Sequence, residues 1–190
     1  MLGFIFFEFK QYVLKRYDYA MWERVTEQVH VSSQKTYKNN ESYSDDELLG
    51  MIGILANETN QAINEVEEDL GVFLAPFLIR ITSHMIDPNW GLLELLLHTQ
   101  GVIHARLAKS IAASTTPFLD ISQTGSSEVT IIYRSPRRMC SLAKGLLKGM
   151  SALYHSPISI EEPSCMHRGD SQCMLKVVIE SPSSISRNQA

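Results

Sequence analysis

The sequence predicts an α+β protein: a helical N-terminal half packed on a C-terminal half that combines an antiparallel sheet with helices. Three observations carry that prediction. Up to Pro117 the apolar residues recur at helical spacing behind recognisable helix starts. After Pro117 the apolar runs become short and β-branched, with turn residues between them. Between the second and third of these runs, "CSLAKGLLKGMSALYHS" (140–156) returns to a helical pattern.

The elements follow in order. Leu2 to Arg24 reads as one helix, with Phe6, Phe9, Val13 and Tyr17 forming its apolar stripe and Trp22 extending it. Residues 31–43 are polar and read as a loop. Ser44, with Glu47 three residues on, is a capping-box signature, and Met51, Ile54 and Leu55 continue the buried face of the helix it opens. "NQAINEVEEDLGVFLAPFLIRIT" (60–82) holds another helical pattern, acidic at its start and interrupted by Gly71 and Pro76. Pro88 marks a break before a long apolar helix at 91–113, which could pack against both halves. "FLDISQ", "SEVTIIYRS" and "CMLKVVIES" read as strands, and "ISIEEP" as a further short one. The expected organisation is a single domain over 1–180, with a helical subdomain at about 1–65, an α+β part at about 66–180 and a polar tail at 181–190.

Composition narrows the class. The 190 residues suffice for one domain with a real core, and 44% hydrophobic with 20% charged residues is ordinary for a folded soluble chain. The net charge is −4 and no Lys/Arg run exceeds two, which argues against a nucleic-acid partner. The opening "MLGFIFFEFKQYVLKRY" has no basic leader, is interrupted by Glu8 and Lys10, and lacks a small-residue cleavage site, so it does not read as a signal peptide. No run of about 18 apolar residues predicts a membrane span. The expected location is the cytoplasm, where thiols stay reduced, and the three cysteines are then candidates for metal ligands or free thiols.

Two groups of residues carry chemistry. In "IIYRSPRRMC" (131–140), Tyr133, Ser135 and Arg137 alternate; on an extended chain all three would face one side. They offer hydroxyls and a planar guanidinium to an anion, or else decorate a solvated edge strand. On the apolar helix upstream, His104 lies among Val102, Ile103 and Leu107. It is either a core histidine bonded to a carbonyl or a neutral imidazole ligating a metal centre. His98 is its competitor; six residues of α-helix turn the two about 120° apart, so both cannot face one ligand. The other group is Cys140 with Cys165, His167 and Cys173, a Cys3His set suited to tetrahedral zinc. Its spacing is not the usual paired CxxC, and free thiols remain the alternative.

The chain resembles the H-NOX family, the haem-based nitric oxide and oxygen sensing domains, over about residues 1 to 180. The likeness rests on the Tyr-x-Ser-x-Arg motif at Tyr133, Ser135 and Arg137, and on His104 just under thirty residues before it. It rests also on the opening "MLGFIFFEF", the "YSDDELL" helix start, and Pro117 after the proximal helix. The resemblance implies haem b buried between the two halves. His104 would be its iron ligand, and Tyr133, Ser135 and Arg137 would hold its propionates. It further implies a pocket lined by Ile5, Phe9, Leu74, Leu78, Pro117, Leu142 and Leu146. Oxygen-binding members place a tyrosine where this chain has Leu142. An apolar pocket offers no donor to bound oxygen, so nitric oxide is the expected ligand, with carbon monoxide tolerated and oxygen unfavoured. A bacterial subset of the family is similar in its Cys3His zinc ligands, which implies zinc at Cys140, Cys165, His167 and Cys173.

The implied function is a gas sensor, not an enzyme, in which nitric oxide weakens the iron–histidine bond and releases the helix that carries His104. No output domain is expected after residue 180, so the implied partner is separate: a sensor histidine kinase or a cyclic-di-GMP enzyme. A haem-free zinc-containing module that binds a small anion, or senses redox state, is the alternative from another class. Peroxide or nitrite chemistry at the haem is disfavoured, because the expected pocket lacks a distal acid or base.

Overall fold

The structure, a computed structural model, describes residues 1–105 and 116–180. The expected single helix over 2–24 is two. α1 spans Gly3–Arg16 and α2 spans Tyr19–Gln28. The break lies at Tyr17–Asp18, where Asp18 takes an extended conformation and its carboxylate accepts the Met21 N–H at 2.7 Å, a new N-cap. Trp22 therefore belongs to α2. It is fully buried against Phe9, and its indole N–H donates to the Ser33 carbonyl at 3.0 Å.

α3 (Asp45–Thr59) starts as expected at Ser44, whose hydroxyl accepts the Asp46 N–H at 3.2 Å. The capping box does not form. Glu47 turns away to Lys35, at 2.8 Å, and to the Tyr37 hydroxyl. α4 (Ile63–Thr82) runs without a break through both expected interruptions. Pro76 removes one internal hydrogen bond, but Leu70, Leu74 and Ala75 around it are completely buried and hold the helix in place. Gly71 serves a close approach: a β-carbon there would lie 2.3 Å from the Leu142 carbonyl oxygen. The facing Gly145 matches it, since a β-carbon on it would lie 2.0 Å from the Glu68 carbonyl oxygen.

α5 (Leu92–His98) opens at Gly91, whose N–H is accepted by Glu94 at 3.0 Å, and passes into a π-helical turn over Thr99–His104. The expected helix at 91–113 is thus described only as far as Ala105. The polar tail falls outside the described residues too.

The C-terminal half is as predicted. β1 (Phe118–Gly125), β2 (Glu128–Arg134), β3 (Ile158–Ser164) and β4 (Cys173–Ile179) form one antiparallel sheet in the order β1-β2-β4-β3. Among the described residues one further α-helix, α6 (Cys140–Leu153), joins β2 to β3 and crosses α4 at the paired glycines. Two large cores result. One gathers Phe6, Phe9, Trp22, Leu48, Leu55 and Leu70 within α1–α4; the other gathers Leu92, Leu95, Ile131, Leu147 and Leu175 between α5, α6 and the sheet. A third, small cluster holds Tyr133, Met166 and all three cysteines. No helix among the described residues is long and apolar enough to cross a membrane.

Candidate functional site

A cavity opens between the two large cores. α1 contributes Ile5, α4 contributes Leu78, and α6 contributes Leu142 and Leu146. The π turn supplies Ile103 and His104, the sheet supplies Ile131, Tyr133 and Leu175, and Pro117 and Arg137 stand on connecting segments. The walls are aliphatic. Two of the hydroxyls on them are engaged by their own helices: Thr82 donates to the Leu78 carbonyl at 2.7 Å and Thr99 to the Leu95 carbonyl at 2.8 Å. Phe9 and Leu74, expected on this wall, are not among the residues that line it. They are completely buried in the helical core, because the α1 and α4 faces that carry them pack on neighbouring helices.

His104 is the imidazole on the wall. Its Nδ1 lies 3.1 Å from the Gln100 side-chain oxygen, so that oxygen accepts the Nδ1 proton and the unprotonated Nε2 keeps its lone pair. Burial depresses the pKa to about 4, which keeps the ring neutral and fit to ligate a metal. His98 is exposed. Its Nδ1 lies 2.8 Å from the Glu94 carbonyl oxygen and its ring packs on Trp90. The π turn between the two histidines is a departure from α-helical spacing of the kind found at functional sites.

Tyr133, Ser135 and Arg137 do not share one extended strand. β2 ends at Arg134, and the chain turns through Ser135–Arg138 with the Arg138 N–H on the Ser135 carbonyl at 3.1 Å. The turn brings the motif together by folding back: Ser135 is buried and its hydroxyl accepts the Arg137 N–H at 3.3 Å. Burial pushes the Tyr133 phenol up to about 12, against the opposing effects of the Ser135 hydrogen bond and the Arg137 charge. Arg137 donates to Asp45 at 3.2 Å, and the other Asp45 oxygen lies 2.7 Å from the N-terminal amine. Burial raises the Asp45 carboxyl, but the amine and Arg137 outweigh it and hold the pKa below its ordinary value. Asp45 and Gln100 were invisible as site residues in the sequence. Gln100 stands four residues before His104, a spacing that could have flagged it; Asp45, 92 residues from Arg137, left no such signal.

These residues fit a haem. An iron needs a lone pair on a neutral imidazole, the macrocycle needs apolar walls, and two carboxylates need a cation and hydroxyls. His104, the aliphatic lining, and Arg137 with Tyr133 and Ser135 supply each of them.

The thiols gather beside that motif, since the register pairs Tyr133 with Cys173. The Cys140 sulfur lies 3.6 Å from that of Cys165, which lies 3.9 Å from that of Cys173. All three cysteines are buried. Burial and the neighbouring sulfurs raise the Cys140 thiol; burial raises Cys173, with the Met166 N–H opposing it from 3.3 Å. His167 lies outside this group. It is exposed on a short turn of 3-10 helix, with its Nε2 2.6 Å from the Arg138 carbonyl oxygen. Glu162 joins the thiols instead, and the four atoms that could ligate a metal all lie within 4.8 Å of one another.

Comparison with known proteins agrees with this geometry. Residues 2–162 match the family described as Haem-NO-binding. The H-NOX protein from S. oneidensis in the Fe(II)NO ligation state superposes with a TM-score of 0.89 at 26% identity, covering 95% of this chain and 100% of that one. The Fe(II)CO form of the S. oneidensis domain gives 0.84 at 26% identity, with 95% and 99% covered. The unliganded Fe(II) H-NOX protein from K. algicida gives 0.86 at 19%, with 95% and 97% covered, and shares the fold. No curated protein is a significant match. The chain belongs to the Haem-NO-binding, or H-NOX, family, whose members are haem-based gas sensors rather than enzymes.

Proposed function

We propose that the protein senses nitric oxide at a five-coordinate ferrous haem b in this cavity and relays the signal to a separate protein in the cytoplasm. One observation carries the choice of gas. The wall formed by Ile5, Leu78, Leu142 and Leu146 offers no hydrogen-bond donor. Bound oxygen draws charge from iron and gains from a donor; nitric oxide and carbon monoxide draw less and do without one. Haem would supply the open iron position. The chain supplies the rest: His104 presents its Nε2 lone pair with the ring turned by Gln100, Arg137, Tyr133 and Ser135 hold the propionates, and the aliphatic wall excludes water.

His104 ends the π turn that follows α5, so a change at the cavity is delivered directly to that helix. On this reading the helical part at about 1–65 and the part at about 66–180 shift against each other, and a sensor histidine kinase or a cyclic-di-GMP enzyme reads the shift. The three thiols hold a structural zinc at the start of α6, away from the gas. The alternative, a haem-free zinc module, is favoured only by the thiol group and requires zinc without iron in elemental analysis.

The test is a visible-absorption titration of the ferrous, haem-loaded protein with each gas. Nitric oxide and carbon monoxide are expected to shift the Soret band, and oxygen is not. A stable oxygen complex of the wild type would overturn the choice of gas, and protein that takes up no haem would sink the whole proposal. Leu142→Tyr adds a donor to the wall and is expected to gain oxygen affinity by at least about tenfold.

A further inference from the structure

We infer that the fourth ligand of the thiol-bound zinc is the carboxylate of Glu162, and that Lys144 and Arg168 are its charge-balancing partners. This rests on reading the thiols as a zinc site. With zinc–sulfur bonds of about 2.3 Å, the edge of a regular tetrahedron is about 3.8 Å. The two sulfur–sulfur distances from Cys165, 3.6 and 3.9 Å, bracket that edge, and the third pair of sulfurs lies within 4.8 Å, so the thiols stand close to three vertices. The fourth vertex needs a donor atom with a free lone pair. Glu162 Oε1 is buried and has no hydrogen-bond partner, a costly arrangement for a carboxylate oxygen in a protein interior. One oxygen of the same carboxylate lies within 4.8 Å of all three sulfurs.

The fold aims it there. Glu161 pairs with Lys176 and Ser164 with Met174, so Glu162 and Pro163 together face Leu175 alone. This is a bulge, the device by which a strand re-aims a side chain. His167 is spent elsewhere, on the Arg138 carbonyl.

Charge supports the same assignment. Zinc with three thiolates carries one net negative charge when the fourth ligand is imidazole and two when it is carboxylate. The second charge needs local cations in a buried site. Glu162 Oε2 has two: Lys144 Nζ at 3.0 Å and Arg168 Nη1 at 4.0 Å. Lys144 follows Cys140 by one turn of α6, so the ligand and the balancing charge sit on one helical face. Arg168 also donates to the Glu162 backbone carbonyl at 2.7 Å, which fixes the residue at the bulge.

The experiment uses the full-length, haem-loaded protein with zinc as the probe. Zinc affinity is measured by competition with a chromophoric chelator, alongside the Soret spectrum. Wild type is expected to bind one zinc per chain. Glu162→Gln is expected to weaken zinc by at least about 100-fold, and Glu162→His to restore it. His167→Ala is expected to change affinity less than about threefold, with the Soret band unchanged in every variant. Zinc X-ray absorption of the wild type gives an independent reading: three sulfurs, one light ligand, and no outer-shell scattering from an imidazole ring. Wild type without zinc would overturn the zinc reading itself. Zinc lost in His167→Ala but retained in Glu162→Gln, or imidazole scattering in the wild type, would overturn Glu162 alone.

Discussion

The cavity and the thiol cluster are neighbours that share one β-strand residue, Tyr133, yet they are built on opposite plans. The cavity draws its wall from α1, α4, α6, the π turn and the sheet, and places one imidazole on an aliphatic surface. The cluster draws four ligand atoms from three short segments and packs them within 4.8 Å. A large flat cofactor makes many weak contacts, so its site is spread over the whole fold and tolerates change on its wall. A single cation makes four strong ones, so its site is small and each ligand is decisive.

The sharpest way to break that comparison is at the ligands. His104→Ala is expected to cost at least about 100-fold in haem retention, with partial recovery on adding imidazole, while zinc content stays at the wild-type level. Equal loss of zinc would show that the two sites depend on each other for folding.

A smaller effect is expected from the element they share. Gly145→Ala places a β-carbon 2.0 Å from the Glu68 carbonyl oxygen, and α6 bears on both sites. Overpacking of this kind is expected to cost about 3 kcal/mol, or a fall in Tm of about 6 to 12 °C in a chain of this size. Thermal melts of the zinc-loaded and haem-loaded forms should fall together; a fall in one alone would mean that α6 serves the sites separately.

The smallest effect concerns Glu67, a buried carboxylate on α4. Burial pushes its pKa up to about 7, against the opposing charge of Lys144. A carboxyl with a raised folded pKa favours the folded state below its unfolded pKa, and that contribution is lost as pH rises through the folded value. Stability owed to Glu67 should therefore fall by about 2 kcal/mol between pH 5 and pH 7. Denaturant unfolding across that range checks it, and Glu67→Gln should flatten the slope. An unchanged slope in Glu67→Gln would assign the dependence to other groups.

The same contrast explains what the sequence made legible. The α+β class, the sheet and α6 were readable because each is stated by a local period. His104 stands out as a polar ring in an apolar run and Arg137 as alternating with two hydroxyls, but only the family resemblance gives them their expected roles. The break at Asp18 was missed because apolar periodicity continues across it and only a short-range cap ends the helix. The persistence of α4 through Pro76 was missed because packing against α6, not local propensity, decides it. Phe9 and Leu74 are expected on the wall only from the family resemblance; an apolar side chain in a core and one beside a cofactor look alike in sequence. Nothing in "ISIEEP" records the bulge that places Glu162 beside the thiols, because it depends on pairing with β4.

The glycine crossing of α4 and α6 has a mechanical consequence. Two helices whose backbones meet with no side chain between them cannot tilt or slide without an immediate clash, so they behave as a stiff strut. α4 of that strut packs on the α1–α3 bundle, and α6 begins at Cys140. A force applied at His104 is therefore not absorbed within the strut. Any movement of α5 relative to the strut would fall on the connection outside it, which begins with the short 3-10 turn at Ser83–Met85, where α4 ends.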